Sequence, residues 1–215
     1  MTEAAVSRAR AEASRGDYAS MARLARALYE TGLGPREVIR ECYGTDFPDE
    51  FFLLAEKNPY TLDLLINFTN QPWRLAIPLR QGGPPLEPDS QDRIERRAFA
   101  YDPHLVPLAL PLGVDTALKG RVICYHLDEL SAGRPTTFGI RKTVDIDDET
   151  ERYDGSLLDI LHQHHADFLR RLTNRSGLPS NQGTGAVDNE DIEEAQDILN
   201  RIEALQHELT LRTGR

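Results

Sequence analysis

Apolar side chains recur every three to four residues near both ends of the chain and gather into short runs in its middle. That pattern predicts helices flanking a region of strands. Residues 2–16 are rich in Ala, Arg and Glu and form an N-terminal arm over 1–16, helical at most and with little to bury. A stronger helix is expected over 17–31, with Asp17 as N-cap and Tyr18, Met21, Ala25 and Leu28 at helical spacing. Gly32 and Gly34 stop it, and Pro35 opens a second helix striped by Val38, Ile39, Cys42 and Tyr43 up to Gly44. A third, short helix from Pro48 turns Phe51, Phe52, Leu54 and Ala55 inward, and Asn58-Pro59 closes it.

After residue 60 the period changes. The segment 61–68 fits a strand or a helix equally well. Strands are expected at 74–79, where Pro78 favours an edge position, and at 98–101, 105–110, 120–127 and 135–144. The stretch 81–92 has loop composition, and 145–155 is too acidic for a strand interior. A helix over 156–173 places Leu158, Leu161, His165, Phe168 and Leu172 near one face. Residues 174–187 read as a linker. A terminal helix over 188–212 carries a seam of Ala195, Ile198, Ile202, Leu205 and Leu209. The seam spans two heptads, short of a coiled coil. It can dock on the chain's own body or on a second copy, giving a homodimer through residues 188–212, and the sequence leaves both open. The expected division is therefore a 1–16 arm, one domain over 17–173, a linker over 174–187 and a helix within 188–215.

Charge and composition narrow the function classes. The formal net charge is −10 over 215 residues, which argues against a nucleic-acid partner, since phosphate binding needs a basic footprint. No apolar run approaches the roughly 20 residues of a membrane span, and the N-terminus lacks the apolar core of a signal peptide. Two cysteines make no disulfide framework. The expectation is an acidic, cytoplasmic globular protein with no membrane partner. Three lysines (Lys57, Lys119, Lys142) against 22 arginines suggest the coding bias of a GC-rich bacterial genome.

Four patterns could carry chemistry. His162 and His165 share a helix face, and Cys124 and His126 share a sheet face. Together they could hold zinc and support a metal-dependent enzyme. Against this, His165 lies within an apolar stripe, as an ordinary hydrogen-bonded core histidine would, and Cys124 reads as a small buried residue. Cys42 reads as packed, and neither a nucleophile elbow nor a phosphate loop is present. The helices at 17–31 and 35–43 have helix-turn-helix spacing, the mark of a DNA-binding regulator. Their net charge is zero, however, and the second carries Glu37 and Glu41. Lastly, Asp145, Asp147, Asp148, Glu149, Glu151, Asp154 and Asp159 stand against Arg152 alone between Thr143 and Asp159. Such a run solubilises a loop. It also steers a cationic protein inward, raising association rates by roughly one to three decades at low salt.

The stretch PREVIRECYGTDFPDEFFLLAE (35–56), with Phe47-Pro48-Asp49-Glu50-Phe51-Phe52 at its motif, resembles the opening of SUKH-superfamily domains. The strands at 105–110 and 122–125 and the helix with Asp167-Phe168-Leu169 are compatible, so the resemblance covers roughly 35–173. The chain departs from that pattern at Glu56-Lys57-Asn58-Pro59, in the insert at 81–92 and in the terminal helix. The resemblance implies an α+β fold, helices packed on a mostly antiparallel sheet. It also implies a non-enzymatic binding role, like that of immunity proteins that neutralise toxins. The resulting expectation is a binding protein with no cofactor, metal or catalytic residue. It meets a basic protein toxin through Asp145, Asp147, Asp148, Glu149, Glu151 and Asp154.

Overall fold

The structure is a computed structural model and describes residues 3–112, 118, 120–141, 150–176 and 189–214. The helices expected near the N-terminus form where the pattern places them. They are α1 (Glu3–Glu12), α2 (Tyr18–Glu30), α3 (Pro35–Tyr43) and α4 (Asp49–Glu56). Asp17 caps α2 by accepting the Ser20 backbone N–H at 3.2 Å. Gly44 ends α3 at φ 74°, a left-handed turn that costs glycine nothing.

A five-stranded sheet follows, with every neighbouring pair antiparallel, in the order β1 (Ile66–Phe68), β2 (Leu105–Pro111), β3 (Arg121–His126), β4 (Thr137–Arg141), β5 (Glu151–Tyr153). The helix α5 (Asp92–Tyr101) precedes β2, and the short α6 (Leu127–Ser131) follows β3. The chain closes with α7 (Leu157–Ser176) and α8 (Asn189–Thr213). Among the described residues this is an α+β protein: N-terminal helices, then a meandering sheet, then closing helices.

β2 is buried along its whole length, because both faces of the sheet are covered. Ile123 and Tyr125 face inward to the main core, made with α2, α3, α4, α7 and α8. Val122, Cys124 and Ile140 face outward into a smaller cluster beneath α5. Pro107 sits inside β2 where the pairing with β3 shifts register. A residue without an N–H is tolerated in a central strand at such an irregularity. Opposite β5, Gly139 leaves room for the Tyr153 ring; a Cβ there would lie 2.1 Å from the Tyr153 hydroxyl.

The aromatic residues of the Phe47–Phe52 motif form the centre of the core. Phe51 stacks on Trp73 with centroids 4.6 Å apart and meets Phe47 and Phe52 edge-on. The Trp73 indole N–H donates to the Leu108 carbonyl at 2.7 Å, tying this cluster to β2.

Three expectations need correction. The segment 74–79 is not a strand but two 3₁₀ turns, Arg74–Ala76 and Leu79–Gln81. The Arg74 N–H bonds back to Asn70 O at 2.8 Å, and Trp73 and Leu75 are drawn into the core. Residues 98–101 end a helix, because Ile94, Ala98 and Tyr101 recur at steps of four and three. Within 145–155, residues 151–153 pair as β5, an edge strand whose charged side chains face solvent. The α8 seam settles on its own body. Ala195, Ile198, Leu199, Ile202 and Leu205 are buried, and Ile198, Ile202 and Leu205 join the main core.

Candidate functional site

The acidic segment is only partly within the described residues: Asp145, Asp147, Asp148 and Glu149 lie outside them. Glu151 lies on β5 with Oε2 2.8 Å from Arg121 Nη2, so its charge is locally balanced. Asp154 is exposed in the turn before α7. Asp159, in the first turn of α7, accepts from the Ser156 N–H (3.0 Å) and hydroxyl (2.9 Å).

A second acidic surface was overlooked in the sequence, where the seam of the terminal helix drew attention to its buried side. Glu190, Asp191, Glu193, Glu194 and Asp197 project outward from the first turns of α8, and the next cation along the helix is Arg201. The side chains of Glu190, Glu193, Glu194 and Asp197 have no ion pair or hydrogen bond among the described residues. The run E-D-x-E-E-x-x-D was the available signal. Carboxylates in a first helical turn also favour the helix dipole by a few tenths of a kcal/mol each, which explains Glu190 and Asp191 better than Glu194 and Asp197. The C-terminal half of α8 is different. There Arg212 pairs with Glu56 (2.8 Å) and Glu208 (2.7 Å), and Lys57 pairs with Glu208 (2.9 Å).

Among the described residues, Asp154 and the acidic face of α8 lie apart. Gln206 donates to Asp159 (2.9 Å) and His162 meets Glu203 (3.3 Å), so α8 runs antiparallel to α7. Asp154 therefore lies at one end of the helix pair and Glu193 near the other, on the order of 20–30 Å away at 1.5 Å per residue.

The four candidate ligands Cys124, His126, His162 and His165 do not converge on one point. Cys124 lies on the outer face of the sheet beneath α5, whereas His165 lies on α7 on the inner side. His126 accepts the Asp128 N–H at 3.3 Å, capping α6, and its Nε2 lies 3.3 Å from Asp102. His162 faces Glu203 on α8. Among the described residues no three His, Cys, Asp or Glu side chains gather closely enough to hold one metal ion. Burial pushes the Cys42 thiol up to about 12 and the Cys124 thiol higher still, leaving both protonated and poorly nucleophilic.

His165 is the hydrogen-bonded core histidine the apolar stripe implied. Its Nδ1–H donates to the Leu161 carbonyl at 2.7 Å, and its Nε2 accepts the Leu65 N–H at 3.0 Å. Burial pushes the imidazole down to about 4, aided by the neighbouring histidines and opposed by the Leu161 bond. A depressed folded value means the stabilisation is complete above the ordinary value of 6.5 and is lost as pH falls toward 4. His165→Gln should flatten the acid limb of the unfolding free energy between pH 4 and 6.5, an effect on the order of 3 kcal/mol. Urea titrations at stepped pH measure it, and an unchanged limb would contradict the assignment.

The charged side chains on the exposed face of α3 are already held. Arg36 pairs with Asp49 (2.5 Å), Arg40 with Asp46 (3.8 Å) and Glu41 with Arg10 (2.5 Å), and Glu37 accepts the Gly34 N–H (3.0 Å). This face has no surplus of positive charge to offer phosphates. Two open grooves flank the fold. One, of about 350 Å³, runs over Phe52, Ala55 and Ala76 with Arg36, Glu56 and Arg80 at its rim. The other, of about 320 Å³, follows the free edge of β1 past Tyr60, Asp63 and Leu112. Neither lining includes a cysteine or histidine. No helix among the described residues is long and apolar enough to cross a membrane. Comparison with protein-family models, with curated proteins and with solved structures returns no match.

Proposed function

We propose that this chain is a non-enzymatic binding protein, an immunity-type inhibitor that captures a basic protein toxin by electrostatic attraction to exposed carboxylates. The observation that carries the reading is the outward face of α8, where Glu190, Glu193, Glu194 and Asp197 lack a cationic partner among the described residues. Exposed, unpaired charge on a rigid helix costs the fold little and projects a field beyond contact distance. The net charge of −10 supports the same reading, as does the resemblance of 35–173 to SUKH-superfamily domains. The acidic segment with Asp145, Asp147, Asp148, Glu149, Glu151 and Asp154 remains a proposed contact surface. Glu151 is its weakest member, since Arg121 already answers its charge.

Two charge-neutralised variants test the reading. One changes the six segment carboxylates to Asn or Gln, and the other combines Glu190→Gln, Glu193→Gln, Glu194→Gln and Asp197→Asn. Each is mixed with cationic toxin domains encoded beside the gene. At least one variant should associate about tenfold more slowly at low salt and show a shallower salt dependence. Parent-like rates and salt slopes in both would remove electrostatic capture from the account.

A further inference from the structure

The helix α5 covers the outer face of the sheet with little apolar surface. Of its ten residues only Glu95 and Ala98 are buried; Ile94 and Tyr101 pack partly on the sheet, and Phe99 packs partly against Gly16 and under Arg15. Below them lie Leu105, Leu110, Val122, Cys124 and Ile140. Glu95 is 3% exposed. Its Oε1 accepts the Asn70 backbone N–H. Its Oε2 is buried without a partner, and so are Arg15 Nη1, Asn70 Nδ2 and Gln91 Oε1. Glu95 and Arg15 line one cavity of about 10 Å³ with Tyr43, Gln71 and Phe99, room for about one water molecule.

Burial pushes the Glu95 carboxyl up to about 7, opposed by donors on Asn70 and Gln71 and helped by the negative charge of Asp92 on the same helix. The other groups around it come from every neighbouring element. They are Tyr18 of α2, Tyr43 of α3, Tyr60, Arg15 and the Arg74–Asp89 pair (2.9 Å). Arg74 is already committed to Asp89. Arg15 lines the same cavity but makes no ion pair with Glu95 among the described residues, so a carboxylate buried here is poorly compensated once ionised, and the helix carrying it has few apolar contacts to hold it down.

We infer that α5 is a proton-controlled lid on the outer face of the sheet, closed while Glu95 is protonated and partly released when Glu95 ionises, baring Cys124 and its apolar neighbours. The inference does not depend on the partner proposed above. Because the closed state holds the proton more tightly than the open one, its stability is complete below 4.5. It declines as pH rises and is fully lost above about 7. Between pH 6 and 8 the opening equilibrium should therefore grow about tenfold.

Pulsed thiol labelling of Cys124 in the full chain carrying Cys42→Ser reads this opening, with rates normalised to the unfolded chain at each pH. Hydrogen exchange of α5 and α2, divided by the intrinsic amide rate at each pH, is followed in parallel. The expected result is a rise of about tenfold in Cys124 labelling and in α5 exchange from pH 6 to 8, with α2 constant. Adding Glu95→Gln should abolish the rise. Labelling independent of pH, α2 exchange rising in step with α5, or a rise that survives Glu95→Gln would each overturn the lid. Should the Gln variant not fold, the pH series of the Cys42→Ser chain still decides.

Discussion

Glu50→Ala is expected to lower the unfolding free energy by about 3–5 kcal/mol, the cost of leaving buried polar partners without their charge. Glu50 belongs to α4 yet acts as the N-terminal cap of α7, more than a hundred residues away. Its Oε1 accepts from the Tyr125 hydroxyl (2.8 Å) and the Leu157 N–H (3.0 Å), and its Oε2 accepts the Leu158 N–H (3.1 Å). One carboxylate thus joins α4, β3 and α7 at the centre of the molecule and meets the positive end of a helix dipole. Burial pushes its carboxyl above the usual range, while the two helix donors and Tyr125 oppose that shift. Glu50→Gln keeps one strong acceptor and should cost about half as much. Urea unfolding measures both as a shift of midpoint at constant slope. A loss below about 1 kcal/mol for the alanine variant would mean that water satisfies the freed donors.

Removing residues 189–215 should have a still larger effect. α8 buries Ile198, Leu199, Ile202 and Leu205 together with Ala195. Four large aliphatic side chains at roughly 1.5–3 kcal/mol each amount to about 6–12 kcal/mol, comparable with the whole stability of an ordinary domain. The shortened chain should therefore lose its cooperative unfolding transition or self-associate, because the apolar faces of α7 and α4 against which α8 packs would be exposed. Light scattering and thermal melting decide it: unchanged mass and an unchanged melting temperature would make α8 an appendage. The point variant Ile202→Ala, at a fully buried site, should cost about 2–5 kcal/mol without altering mass.

The N-terminal helices were legible because their signals are local. Asp17, Pro35 and Gly44 act within one turn of the backbone they cap or break. β2 and β3 were legible as apolar runs, and His165 was legible as a core residue from the stripe it shares with Leu161 and Phe168. The reading failed at 74–79, where strand-like composition yielded to Trp73 and Leu75 being pulled inward. It failed again at 98–101, where the helical period begins at Ile94, inside a segment that composition had divided. The acidic face of α8 was present in the residues but hidden behind the apolar seam on the same helix.

The chain's amino-acid order therefore determined the boundaries of its N-terminal helices, its apolar faces, its acidity and its α+β character, since each depends on neighbours within a few residues. Only the tertiary structure decided that Glu50 caps a distant helix, that the seam of α8 closes on its own body, and that the sheet separates Cys124 from His165. It also placed Glu95 in the interior. These outcomes depend on groups 25 to more than 100 residues apart. Whether a carboxylate is solvated or buried depends on what the rest of the chain brings against it, which no local pattern records.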